Sequence, residues 1–567
     1  MTLARHRFPA LKHFNLMPAI MVATTLVLCL LVALPLFYIL LQAIFPEFTR
    51  GSLARPFAML MPTLNNPELF MLMGNTLKLG LVVVIGCLAL ALPLGALRAL
   101  TRVPGGALWD VLFLVPFLIP PYIAALSWML TLQPRGYMQQ LTGVNLDAFL
   151  FSFWGIAFVM ILNVFPVVYF AASRTLAAVG GRYAAVGRVC GAKPWQALFR
   201  ITLPLSIPGL AASSLLVFVL TIEEFGTPAT LGAQAGYKVL VTGIHERFSD
   251  WPLDIPGAAI LSLLLVMMAM IAFYFQHWLV NRRSYVAVTG KPGRAEVFEL
   301  GPWRYPVIAL FAFVGFIAVG VPILATLATA SFGTLSGGLT WDNLSSRHFV
   351  ALFQDRGGAM QALTTSLSLA TGAALITGVL GALIGYLVVR VKSRGSQALD
   401  FLSLLPNTMP GIVVAVGLIL AWNQSYWPIQ IYNTGAMLLL AYVCLLLPYP
   451  VRYANASFRQ LSENLEAAGR VNGAGFVRMF WHIILPALLP SLLVAMLLVF
   501  AIASRELVAS LLVAPAGMST VSTFVFKQFE QGSPGLGMAM SVVAIFSTTA
   551  LILGLTLFSR KKLPLQG

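Results

Sequence analysis

Runs such as LVLCLLVALPLFYILLQAIF (residues 26–45) and AAILSLLLVMMAMIAFYF (258–275) recur along the whole chain. A helix needs roughly 18 to 20 apolar residues to cross the hydrocarbon of a bilayer, and its backbone amides must be satisfied within the segment. The implied fold class is an all-α polytopic membrane protein; the short alternating strands of a barrel are not seen. Only 9% of the 567 residues are charged, against about 25% in a soluble domain. The first run is longer than the roughly 7 to 15 residues of a signal-peptide core and lacks a small-residue cleavage site, so it reads as a retained first span.

Apolar segments bounded by Pro, Gly and charge number twelve, centred near residues 31, 84, 120, 162, 217, 267, 318, 376, 411, 445, 498 and 547. With the amino terminus inside, 25 of the 35 Lys and Arg fall in inside segments, eight fall outside, and Lys78 and Arg505 lie within spans. Basic residues gather in short cytoplasmic loops, so both termini are expected in the cytoplasm. The same placement accounts for the net charge of +17 and leaves no reason to invoke nucleic acid. Cys29, Cys87, Cys190 and Cys444 are too scattered for a disulfide framework or a CxxC metal site and are expected to be packing residues.

The chain repeats itself. VLFLVPFLIPPYI (111–123) superposes on FLSLLPNTMPGIV (401–413) at an offset of 290, which aligns Asp110, Pro116 and Pro120 with Asp400, Pro406 and Pro410. Further on, an offset of 282 places Gly187, Arg188, Gly191, Leu203-Pro204 and Glu224 on Gly469, Arg470, Gly473, Leu485-Pro486 and Glu506. Two copies of a six-span unit are therefore fused, residues 1–290 and 291–567. Because each copy has an even number of spans, both run in the same sense and should pack about an axis along the membrane normal. The basic stretch 281–304 reads as an inside linker.

Between the fourth and fifth spans of each half lies a polar, glycine-rich inside segment: EAAGRVNGAG (466–475) and its worn copy AAVGRVCGAK (184–193). Small residues allow close backbone approach, glycine permits a sharp turn, and Phe476, Met479 and Phe480 form the stripe of a short amphipathic helix. Alone, such a segment is a loop folded on its own helices; in two matched copies it also suits a pair of docking knobs for a two-fold partner.

The segment resembles the EAA motif, EAA followed by Gly and, further on, I-x-LP, of the membrane subunits of binding-protein-dependent ABC importers. The resemblance implies a type I permease fold whose loops, here about 176–204 and 458–486, form coupling helices that fit two copies of a cytoplasmic ATPase subunit. Glu466, Ala467, Ala468, Gly469, Gly473, Ile483, Leu485 and Pro486 match it, as do Ala185, Gly187, Gly191, Ile201, Leu203 and Pro204; the Glu position of the first copy holds Ala184. IEEFGTPATLG (222–232) and SRELVASLL (504–512) are further similar to segments of fused ferric-iron importer permeases. A bacterial inner-membrane location, a periplasmic binding protein as partner, and iron as substrate follow from the resemblance, with phosphonates, sugar phosphates and thiamine as alternatives.

No GxxxxGK[ST] phosphate loop is present, so ATP and Mg are expected on the partner ATPase and no cofactor on this chain. His245, His277, His348 and His482 lack catalytic or metal-ligand spacing. The informative charges are Glu223, Glu224, Arg505 and Glu506. Some 20 residues separate Pro204 from Glu224, roughly 30 Å of helix rise, which puts these groups near the outer mouth. Ionisable groups at membrane depth mark either a structural ion pair or a pathway. The repeat sets Arg505 opposite Glu223, and the Glu224 and Glu506 carboxylates are hard oxygen ligands that suit transient contact with Fe(III). The Pro-rich third spans of the two halves are either flexing points or static kinks. A proton- or sodium-driven carrier would also show repeats and buried carboxylates, but would have no ATPase to dock. A membrane-bound enzyme would need a cluster of polar groups on one face, and none is found.

Overall fold

Helices account for the regular structure throughout the computed structural model, which describes residues 16–189, 191–281, 298–354, 358–391 and 393–562. Among these residues there is no strand, only isolated bridges at Thr101–Phe298 and Phe332–Leu344. Among the described residues nine unbroken helices are long and apolar enough to cross a membrane, and three bent pairs, each taken as one span, bring the number to twelve. They fall at the twelve positions expected from the sequence. Spans one to six are Met17–Ile44, Pro67–Leu100, Gly106–Leu118 with Pro121–Thr142, Phe153–Ala178, Leu198–Glu223 and Ile255–Gln276. Spans seven to twelve are Gly301–Ser331, Ala359–Arg390, Gly395–Thr408 with Gly411–Trp422, Gly435–Leu446 with Pro448–Gln460, Val477–Ala503 and Pro534–Ile552. The expected boundary at 290/291 and most of the linker lie outside the described residues; its end is held where Phe298 exchanges backbone hydrogen bonds with Leu100 and Arg102.

The third span of each half is broken outright. Its two pieces meet at 94° in the first half and 115° in the second, at the prolines that the repeat aligns. Other prolines leave their spans continuous through a different device. Leu34-Pro35, Leu203-Pro204, Val321-Pro322 and Leu485-Pro486 each follow a five-residue π-helical turn, in which the residue before proline donates five residues back. Proline has no N–H and its ring clashes with the carbonyl four residues earlier; a widened turn relieves that clash without ending the helix. The carbonyl of Leu31, four before Pro35, accepts instead from the Cys444 thiol at 3.2 Å. Cys29, Cys87 and Cys444 are free thiols, the last two buried; Cys190 lies outside the described residues.

Lipid tails are as apolar as the helices, so association rests on close packing of small residues. A Cβ on Gly95 would stand 2.8 Å from that of Ala172, and one on Gly385 2.7 Å from that of Ala454. These two contacts are the same contact in the two copies, since 95 and 385 differ by 290, and 172 and 454 by 282. The halves also interlock. Pro35 and Ile39 of span one press on Gly417 of span nine, while Thr326 of span seven meets Ser127 of span three at 2.9 Å and Thr329 meets Tyr137 at 2.7 Å. Each first span thus packs against the third span of the other half.

Candidate functional site

At one end of span eleven the polar segment forms a short helix, Asn464–Val471, a turn, and the helix Phe476–Met479, which runs on through the π turn Phe480–Ile484 into Leu485–Ala503. The turn requires glycine: Gly473 has φ +76° and its counterpart Gly191 φ +88°, both in the left-handed region. Gly469 serves a close approach within the chain, because a Cβ there would meet Ile483 at 2.9 Å. Ala467 and Ala468 are exposed. So are Leu465, Val471, Val477 and Trp481, with Val471 87% and Trp481 50% exposed, so an apolar face is presented away from the bundle. Glu466 points the other way, to Arg390 and Tyr386 of span eight. In the first half Ala184, Ala185, Gly187 and Arg188 belong to the long helix Phe153–Val189. Their side chains, and that of Arg470, lie outside the described residues. Leu203-Pro204 and Leu485-Pro486 occupy the junction between π turn and span in their respective halves.

The other ends of spans five and eleven carry the charges. Glu224 follows the last residue of its span and accepts the Thr227 N–H with both carboxylate oxygens, at 3.0 and 3.1 Å. Glu506, in the turn after span eleven, accepts the Ala509 N–H with one carboxylate oxygen, at 3.2 Å. These are matched caps on the turn that leaves the span, each satisfying an amide that would otherwise lack a partner at a helix start.

Arg505 does not face Glu223 as the repeat suggests: no ion pair joins them among the described residues. Its guanidinium crosses to the first half and donates to the carbonyls of Phe117, at 3.1 Å, and Leu118. Phe117 lies four residues before Pro121, so the break in span three orphans its carbonyl. The carbonyl of Pro116, four before Pro120, accepts from Asn163 of span four at 2.9 Å. The first-half break is thus satisfied by one donor of its own half and one of the other. In the second half the orphan is met locally, where the Met409 N–H reaches Pro406 at 3.2 Å. This cross-half role of Arg505 has no signal in spacing, because it depends on which carbonyls the proline breaks release. Glu223 is left with a buried Oε1 that has no hydrogen-bond partner among the described residues. No group of three or more His, Cys, Asp or Glu among them could hold a resident metal ion.

Against this cluster lies a helix outside the spans, Leu240–Ser249. Its His245 ring packs on Phe225, centroids 4.9 Å apart, and Ser249 lies 3.3 Å from its Nε2. Burial lowers the imidazole pKa below its usual 6.5, with Asp250 and Glu246 pulling weakly the other way. The unfolded chain therefore takes up this proton first as pH falls, so the stability due to neutral His245 is full above about 6.5 and declines below it. The melting temperature of the purified protein should fall between pH 7.5 and 5.5, and by a smaller amount in His245→Gln.

A model of the family described as "binding-protein-dependent transport system inner membrane component" matches residues 88–285 and again 374–562. The ferric transport system permease protein FbpB of Actinobacillus pleuropneumoniae is 28% identical over 447 residues, 78% of this chain and 64% of that protein, so the alignment spans just under two thirds of its length. The Fe(3+)-transport system permease protein FbpB 2 of Haemophilus influenzae is 24% identical over 87% of this chain and 89% of its own. The putrescine transport system permease protein PotI of Escherichia coli K12 is 27% identical over 41% of this chain and 81% of its own, as expected if it aligns with one half. With the family's unit matched twice along a twelve-span chain, this protein belongs to the inner membrane components of binding-protein-dependent transport systems.

Proposed function

We propose that the chain is the permease of an ATP-driven importer, passing a small solute from a periplasmic binding protein to the cytoplasm. ATP and Mg are bound by two copies of a cytoplasmic ATPase subunit, one docked on each of the loops 176–204 and 458–486. The basic residues gathered on that side support a cytoplasmic location for both termini. The observation that carries the proposal is mechanical. In the second half the exposed apolar docking face is continuous, through one helical rod, with the span whose far end bears Arg505 and Glu506. A displacement of the loop by ATP-driven closure is delivered some 40 Å away, by helix rise, to the contact between the halves.

Ferric iron is the first choice of substrate, supported by the names of the two FbpB relatives. In this reading the four charged residues belong to a gate and have different tasks. Glu224 and Glu506 are engaged as caps, so Glu223 is the carboxylate best placed to offer oxygen to a passing cation. The test is uptake into proteoliposomes holding the chain with its ATPase and binding protein, comparing Fe(III), aminoethylphosphonate, a sugar phosphate and thiamine, with and without ATP. ATP-dependent uptake of Fe(III) alone is expected, and Glu223→Gln should lower it about tenfold, on the order of 1.4 kcal/mol, while ATP hydrolysis continues. Uptake of one of the other compounds would discard iron but keep the mechanism; ATP-independent uptake would discard the mechanism.

A further inference from the structure

Arg390, the last residue of span eight, gathers the start of the second-half loop around one guanidinium. Its Nη2 donates to the Leu461 carbonyl at 2.7 Å and its Nη1 to Glu463 at 3.2 Å. Its Nε lies 2.9 Å from Glu466 Oε1, an ion pair rather than an aligned hydrogen bond. The guanidinium also sits over the Phe458 ring, 6.0 Å from its centroid. Tyr386, one turn earlier on the same span, donates to Glu466 Oε2 at 3.2 Å. The Arg390 and Glu466 side chains are 11% and 13% exposed, so the pair is largely shielded from solvent and salt. The carboxylate of the EAA segment is therefore turned into its own bundle, and the face left for a partner carries exposed Leu465, Val471, Val477 and Trp481 beside Arg478 and His482.

The sequence of the other half offers no counterpart to these side chains. At the offsets fixed by the Gly95–Ala172 and Gly385–Ala454 contacts, Arg390 corresponds to Leu100, Tyr386 to Ala96, Glu466 to Ala184, Glu463 to Gly181 and Phe458 to Leu176. Every member of the charged set is replaced by an apolar or side-chain-free residue. Leu176 is buried there in a small apolar cluster against which Leu100 and Ala96 pack. A worn motif that had merely lost a partner contact would keep Arg390's counterpart; instead both ends of the pair are absent.

We infer that Arg390 and Glu466 are positioning residues that lock the second-half coupling helix to span eight, so that it moves with that span as one body. The first half has no residues that could form such a pair at the matching positions, so the two ATPase contacts are unequal. This rests on the reading of these loops as ATPase docks. Each side chain acts through the other, and Glu466 does not act by touching the ATPase.

The test reads solute moved per ATP hydrolysed in the full complex. Arg390→Met and Glu466→Gln should each lower that ratio about tenfold, within the 5- to 150-fold usual for coupling between sites. The double variant should be no worse than either single one, because both remove the same interaction. Arg390→Lys, which keeps the charge, should recover at least threefold over Arg390→Met, and Leu100→Met in the other half should leave the ratio unchanged. A normal ratio in Arg390→Met beside a lowered one in Glu466→Gln would overturn the inference and assign the carboxylate to the ATPase directly; additive losses in the double variant would overturn it too. If Arg390→Met does not fold, Arg390→Lys against Glu466→Gln still decides the matter. Failure of the ATPase to co-purify with the unaltered chain would instead sink the docking reading itself.

Discussion

Replacing Arg505 with methionine should abolish most ATP-dependent uptake and lower the melting temperature of the purified protein. Methionine keeps much of the apolar stem and removes the donors that meet the Phe117 and Leu118 carbonyls. Hydrogen bonds to charged groups contribute about 1.5–3 kcal/mol each in net terms, and a bilayer supplies no water to replace them. A loss of roughly 2 kcal/mol is a sensible floor. The larger effect falls on transport, because this side chain is the donor by which span eleven of one half grips the broken span three of the other. Arg505→Lys should be intermediate: Nη1 alone meets both carbonyls, and a lysine ammonium keeps the charge and the donors but on a shorter, more flexible stem. Uptake and thermal melting measured on the same preparations separate the two effects. Equal melting and equal uptake in the methionine variant would remove Arg505 from any role at the gate.

The second large effect is expected at Gly473. A β-branched side chain at φ +76° is a genuine backbone outlier, costing about 1–3 kcal/mol, and a flexible turn will relax rather than bear it. Gly473→Val should therefore displace the helix Asn464–Val471 from the rod it precedes, with loss of co-purified ATPase and of uptake. No side chain crowds the position, since nothing lies within 4 Å of the place a Cβ would take, so the effect is one of backbone angle and not of space. Gly473→Asn, which tolerates the left-handed region, should retain most of both. Equal loss in the two variants would show that the side chain, and not the turn, is what the partner rejects. Gly191→Val makes the same comparison in the first half, where the turn has the same hand.

Much of this architecture was legible from residues in order. Apolar length fixed the twelve spans because hydrocarbon thickness fixes how many residues a helix needs. Aligned prolines and glycines fixed the duplication, and glycine at 191 and 473 announced a turn because few other residues adopt one of that hand. The same offset matched Glu224 with Glu506, but their task as caps on Thr227 and Ala509 came only from the structure. Side-chain partners were a different matter. The repeat set Arg505 against Glu223, yet the guanidinium went to Phe117 and Leu118, because a break at Pro120-Pro121 frees carbonyls that no charge pattern records. Glu466, the most recognisable residue of its motif, turned inward to Arg390, 76 positions away in the chain. Sequence by itself determined what must lie in lipid, where the chain turns and which positions are equivalent, since these depend on local backbone and apolar length. Only the tertiary structure decided which polar groups meet, since a buried donor takes whichever acceptor the packing of distant helices leaves unsatisfied.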